Sequence, residues 1–525
     1  MTRRNVRLRT VALISVLAVL AAGCGGGGSS SEGSGATPGE SGADAEATEP
    51  RRGGDLVVAM EAAWLPLDPL DMGALTDRTV GSAVYDTLVG VSPEGEFVPM
   101  LATSWDSEDG QSYDIVLRED VTFHDGTPLD ADAVVKHFER LLDPANECRC
   151  QADLAVVESV TATGPLQVTI KLKAPSAAFP SVLSDVPGMI VSPTAAEALG
   201  EGFASSPVGA GPFKFVEQLE NDHITFERYD GYWDDAKPYL DRITFRPIPD
   251  QQARYSSLRS GDVDLIVVPS VDNRVAAEGD PDLQVVELGG VGTQFTMFQT
   301  QQAPFDDVRA RRAMAYATDV ETLIETLYEG LYEPVRSVFP PKLFAASDPP
   351  NYPDYDLDEA KRLVEELGGL AFTFSVSNTP ENLTLSQALQ AMWEEAGMQV
   401  EIEVLEQTVL IRNALDHKFQ AMGFRWAGRW DPDQNSWQFF RSGSPRNYTL
   451  LVDPEIDRLL DGARVETDQA KRTELYGAFS ERLAELAPYS FLWSNDSAFI
   501  ARSSVHDIPP LADWLLRPAG IWVEG

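Results

Sequence analysis

The chain has 525 residues, 82 acidic against 41 basic, for a formal net charge of −41. Such a field repels polyanions, which excludes nucleic acid and anionic membrane surfaces as partners held by charge. Three cysteines are too few for a disulfide scaffold, and the length suffices for two or three subdomains with cores of their own. Arg3, Arg4, Arg7 and Arg9 form a basic start, and residues 10–22 are an apolar run too short to span a bilayer stably, the pattern of an export signal. Residues 25–52 are Gly, Ser, Ala and Glu with almost nothing apolar, so they read as a flexible tether. The acidic surface also repels itself, a cost that salt screens. Two expectations stay open: a protein suited to raised ionic strength, or a generic acidic secreted protein.

Residues 99–142 read as a hairpin feeding a helix. Glu108-Asp109-Gly110 offers the turn, and Tyr113, Ile115 and Leu117 alternate with polar residues as a half-buried strand requires. Residues 123–128 break that strand with turn chemistry, and Asp130 can cap a helix with Val134, Val135, Phe138, Leu141 and Leu142 on one face. Cys148 and Cys150 are separated by Arg149 alone. An exported protein favours a local disulfide there, although the ring is small; a metal site lacks further ligands nearby. Residues 168–172, 243–245 and 265–268 read as strands. From about Gly292 the pattern shifts towards helices joined by short strands. Residues 308–316 form an Arg- and Ala-rich helix, and residues 372–376, a helix through Trp393 and residues 400–404 spell a β-α-β unit.

Catalytic chemistry finds little support. The five histidines include no helical zinc pair, and no G-x-S-x-G elbow occurs. Gly209-Ala210-Gly211 is followed by no helix start and no Lys-Ser/Thr, so it reads as a tight turn rather than a phosphate cradle. His124 reads as a structural hydrogen-bonding residue. No metal or cofactor is expected.

Many short words do nothing the fold alone demands. They include GDLVVA (54–59), LDP (67–69), VYDTLV (84–89), LATSW (101–105) and LREDVTFHDGTP (117–128). PVGAGPF (207–213), with Ala210 where Thr is usual, is followed by YDGYW (229–233), SGDVD (260–264), FDDVR (305–309), DPEID (453–457) and RTELY (472–476). In this order they resemble the family 5 extracellular solute-binding proteins, which deliver peptides, nickel complexes and other solutes to ABC importers. The resemblance implies an α/β, two-lobed periplasmic-binding-protein fold, type II-like, with an extra subdomain in the first lobe and a hinge of two crossing segments. It places lobe I at 53–290 plus 490–525, with the insert at about 85–205, and lobe II at 291–489. The crossings would be near 287–294 and 486–494. LAAGC (20–24) is similar to a bacterial lipobox. Residues 1–23 would then be removed, and Cys24 would carry diacylglycerol and anchor a monomer outside the cytoplasm, on the cell membrane, through the tether 24–52. The plainer alternative is a secretory signal with an incidental cysteine. Implied partners are a solute, an ABC permease and its ATPase subunits.

The ligand is less clear from the words. FRWAGRWDPD (424–433) looks like the family's strand entering the cleft. In peptide-binding relatives an Asp after W-x-G meets the ligand's ammonium; here that position is Arg429, which favours a carboxylate or other anion. Asp431 takes the amine role if the loop is one residue shorter. Dipeptide binders also carry an Arg just before their counterpart of Asn378-Thr379-Pro380, where this chain has Val376 and Ser377. Both end-group anchors look absent, which argues against a strict dipeptide binder but not against longer peptides held along their backbone. Trp426, Trp430 and Trp437 either stack on a ligand or pack in the core. Trp64, Tyr85, Gln294, Phe298 and Asn447 are candidates because their segments face the cleft in the family. A peptide is the expected cargo. Rivals are a non-peptide solute (an oligosaccharide, an anionic conjugate or a metal complex) and an extracellular chaperone or adhesin on the same fold.

Overall fold

The computed structural model describes residues 49–524. The export signal, Cys24 and nearly all of the tether lie outside the described residues.

Two large sheets organise the chain. The first has seven strands in the order Leu283–Gly289, Ser497–Arg502, Leu265–Val267, Asp55–Met60, Arg242–Pro247, His223–Arg228, Phe213–Leu219. Asp55–Met60 runs parallel to both of its neighbours. Beyond its exposed first residue, Asp55, it is apolar and largely buried, as a strand covered on both faces must be. The second has five strands in the order Gln399–Leu405, Ala371–Ser377, Ala421–Arg425, Thr293–Phe298, Tyr489–Ser494. Its parallel pair Ala371–Ser377 and Gln399–Leu405 is joined through the helix Pro380–Glu395, the β-α-β unit legible in the sequence. Thr293–Phe298 is buried at every position because aromatic clusters cover both faces of that sheet.

A third, four-stranded sheet (Ala102–Asp106, Ser112–Leu117, Gln167–Leu172, Val157–Gly164) carries the helix Ala131–Leu142. The expected alternation holds: Tyr113, Ile115 and Leu117 point inward. Asp130 accepts a hydrogen bond from Ala133 N at 2.9 Å, capping the helix as anticipated. Cys148 and Cys150 are disulfide-bonded inside this core. The insert is shorter than 85–205. Tyr85, Met189, Val191, Ala195 and Phe203 pack with the seven-stranded sheet, whereas the insert's own core runs from Leu88 to Ile190 with Ala210. Gly209 and Gly211 lie against the backbone of Val84, where a Cβ on Gly209 would sit 2.1 Å from the Val84 carbonyl oxygen. That close approach explains the PVGAGPF turn. His124 bonds the Gly211 carbonyl at 3.0 Å, and burial pushes its pKa down to about 4.

The large sheets are joined twice. Residues 290–292 lead from Leu283–Gly289 into Thr293–Phe298, and Asn495-Asp496 leads from Tyr489–Ser494 into Ser497–Arg502. The two crossings touch: Asn495 N donates to Gly292 O at 2.9 Å, and a Cβ on Gly290 would sit 2.2 Å from Asn495 O. The second crossing therefore falls later than 486–494. Tyr489–Ser494 pairs antiparallel with Thr293–Phe298, so it belongs to the five-stranded lobe and the first lobe resumes near Ser497. The apolar run FLW fits either sheet, and only its pairing decides.

Candidate functional site

A cavity of about 520 Å³ opens between the two sheets at the crossings. The first lobe lines it with Glu61 just beyond a strand end, Arg254, and the first turn of the helix Val271–Glu278 with Arg274. The second lobe contributes Gln294, Tyr328, Tyr332, Arg425, Trp493 and the first turns of Pro380–Glu395. The crossing itself adds Asn495 and Asp496. Tyr332 stacks on Trp493 with ring centroids 5.7 Å apart and planes 6° apart, and Tyr328 meets both edge-on. The stacked pair presents an aromatic face to the cavity.

The cavity's charges are unusual for their burial. Arg254 holds the carbonyls of Ile248 and Val268 at 2.7 and 3.0 Å, and Arg274 pairs with Glu287 at 2.5 Å. Yet Nε of both arginines and Oε2 of Glu61 are buried without a hydrogen-bond partner among the described residues. Burial raises the pKa of Glu61, and pushes that of Asp496 up to about 6. No group of His, Cys, Asp and Glu among the described residues is arranged to hold a metal ion. A larger cavity of about 890 Å³ lies wholly on the five-stranded lobe, between its edge strand and residues 333–355, and receives nothing from the first lobe.

Of the residues expected at the site, only Gln294 lines this cavity. Asp431 is consumed by structure. It caps the helix Pro432–Phe440 and takes two bonds from Arg472, at 2.7 and 2.9 Å, with 1% of its surface exposed. A ligand ammonium has no free oxygen to meet there, so the amine role is withdrawn. Arg429 is half-buried and turned to the first lobe, where its Nε lies 3.4 Å from Asp185, a carboxylate also held by Arg78 at 2.7 Å. Its charge is answered within the protein. Trp426 stacks on Phe439 at 3.7 Å, and Trp430 donates to Asp513 at 2.9 Å and packs over Gly95. Phe298 stacks on Phe305 in the core; Tyr85 is buried and bonds Leu67 O at 2.8 Å; Asn447 ties its own loop through Leu451. Trp64 packs against the core of the seven-stranded sheet, with a buried indole N–H that finds no partner among the described residues. The aromatic side chains among them are large and pack in or against the hydrophobic cores.

The model of the bacterial extracellular solute-binding proteins, family 5 (middle), matches residues 96–448. The chain belongs to this family. Among curated family 5 relatives it is 26% identical over 453 residues to the glutathione-binding protein GsiB of Pectobacterium atrosepticum, covering 83% of this chain and 88% of that one. It is equally similar, over 451 residues, to the GsiB of Escherichia coli. Solved structures agree. A periplasmic binding protein DppA from Helicobacter pylori, in complex with the peptide STSA, matches at TM-score 0.77 and 27% identity, over 90% of this chain and 99% of that one. AgaA from A. tumefaciens, in complex with agropinic acid, matches at TM-score 0.76 and 25% identity, over 90% of this chain and 99% of that one.

In this family 5 protein, sequence reasoning missed Arg254, Arg274, Arg425, Tyr328, Tyr332, Trp493 and Asp496. A faint signal existed in the Tyr328-Glu-Gly-Leu-Tyr332 spacing and in Ser270 placed to cap a helix carrying Arg274. Nothing in the sequence brings them together.

Proposed function

We propose that the protein is the substrate-binding lipoprotein of an ABC importer, tethered through Cys24 outside the cytoplasmic membrane, and that its cargo is a peptide. The observation that carries this reading is the cavity between two lobes joined by two short crossings, with hydrogen-bonding groups left unsatisfied inside it. A solute that touches both walls binds the closed form better than the open one, and so shifts the population towards closure. Closure then presents both lobes to the permease, whose ATPase subunits drive uptake. The chain acts as a monomer and carries out no catalysis. Peptide cargo is supported by the relatives that are named for glutathione or solved with a peptide. A non-peptide anion is the second reading, favoured by the arginines of the cavity and by the relative solved with agropinic acid.

The test is native mass spectrometry of the protein from residue 50 onward, purified without denaturation, with bound ligand ejected and fragmented. Peptide masses at one per protein support the reading. A discrete non-peptide mass replaces it with the second. Addition of an unfolded client protein, captured without displacement by any small solute, would point to a chaperone instead.

A further inference from the structure

We propose that the cleft recognises its ligand through a carboxylate held between Arg274 of the first lobe and Arg425 of the second. The inference rests on the reading that this cleft is the solute site.

Both cations line the cavity, unlike Arg429 and Arg472, and the third arginine there, Arg254, gives both Nη groups to the carbonyls of Ile248, Pro249 and Val268. Arg429 is answered by Asp185, and Arg472 by Asp431. Arg425 is exposed at the end of its strand and makes no ion pair among the described residues. Arg274 is 3% exposed and pairs through one Nη with Glu287 at 2.5 Å, while its Nε is buried without a hydrogen-bond partner among the described residues. Both line the same cavity, one from each sheet, beside the first turns of the helices capped by Ser270 and Thr379. Those helix starts add the positive ends of two dipoles.

The cavity also holds Glu61, Asp272, Glu381 and Asp496; Asp272 and Glu381 are exposed, where water and salt screen them, and Glu61 and Asp496 are the less accessible acids. Burial already disfavours the charged forms of Glu61 and Asp496. Guanidinium groups keep their charge at any physiological pH. As a ligand closes the cleft, the arginines remain cationic, whereas burial works against the charged forms of Glu61 and Asp496. Two guanidinium groups brought towards each other oppose closure, and an anion between them reverses that sign. A carboxylate can take paired N–H bonds from a guanidinium, and placed here it would make closure depend on ligand. Tyr332 lies within electrostatic reach of both arginines, and with Trp493 offers a flat surface for the group attached to the carboxylate.

The experiment titrates the tether-free protein with matched pairs, following intrinsic tryptophan fluorescence and native mass. The pairs are a random tetrapeptide pool as free acid and as C-terminal amide, glutathione and its diethyl ester, and glucuronate and glucose. The expected result is an acid bound about tenfold or more tighter than its neutral partner, the size of a lost charge-assisted hydrogen bond. Arg425→Gln, at an exposed position, should bring the members of that pair to within about threefold of each other. Arg274→Gln should do the same. Peptides bound equally well as acid and amide overturn the carboxylate clamp while leaving peptide uptake standing. Glucuronate bound in place of every peptide keeps the clamp and removes the peptide reading. Absence of binding in all three pairs overturns both.

Discussion

Asp431 was a candidate anchor for a ligand amine, and the structure gives it a different task that substitution can expose. Its carboxylate accepts from Arg472 Nη1 at 2.9 Å and Nη2 at 2.7 Å, and caps a helix through Asp433 N at 2.9 Å. Asp431 and Arg472 are 1% and 6% exposed. Arg472 also touches Tyr476 and the ring of Phe344. Asp431→Asn keeps a capping oxygen, so the cap survives, but it leaves a buried guanidinium without its counter-charge. Breaking a buried pair from one side costs about 3–5 kcal/mol. For a folding unit the size of the five-stranded lobe this lowers Tm on the order of 10 °C. Differential scanning calorimetry, which separates transitions of the lobes if they unfold apart, reads the loss directly. Asp431→Asn combined with Arg472→Met should recover most of it, because removing both buried charges is close to neutral. An Asp431→Asn protein with parental Tm and lost ligand binding would refute the reasoning and restore the anchor role.

Three further outcomes are expected. Asp185→Asn removes the carboxylate that Arg78 and Arg429 share across the lobe interface; because Arg429 is half-exposed, the attraction lost between the lobes is about 1 kcal/mol, and the ligand-free protein should open measurably in small-angle scattering. An unchanged radius of gyration contradicts this. Gly209→Val places a side chain against the Val84 carbonyl, where only backbone could yield, so soluble folded protein should be lost; a parental circular-dichroism melt is the contrary result. Asp496 has a folded pKa of about 6 against an ordinary 3.8, so it favours folding fully below pH ~4, and that contribution fades as pH rises through about 6. Asp496→Asn should therefore gain Tm over the parent at pH 7.5 and lose that advantage near pH 4; an advantage independent of pH contradicts the assignment.

The sequence made local structure readable wherever one face of an element had a single job. The alternation of Tyr113, Ile115 and Leu117, the Asp130 cap, the helix Val308–Tyr316 and the β-α-β unit around Pro380–Glu395 all carry period, cap and turn within a few residues. The family words carried the fold class. The strand Tyr489–Ser494 joins the other lobe from the one the family words imply, because a fully buried strand has no polar face to state which sheet it joins. The site was the least legible part. Conspicuous tryptophans attract attention, yet Trp426 and Trp430 are large enough to be needed by the core. The residues that do line the cleft come from strand ends, helix starts and a crossing spread from Glu61 to Trp514, and their convergence is a tertiary fact. Arg429 suggests an anion partner from its chemistry alone; the structure supplies that partner as Asp185, while Arg425, four residues earlier, makes no ion pair among the described residues.

The most direct test of a solute-binding cleft is a crystal structure of the protein with the ligand that native mass spectrometry identifies. The account predicts density between the sheets, touching residues of both lobes, with Arg274 and Arg425 on one anionic group and Tyr332 or Trp493 against its body. Density in the cavity between the edge strand Tyr489–Ser494 and residues 333–355, with nothing between the lobes, would contradict it.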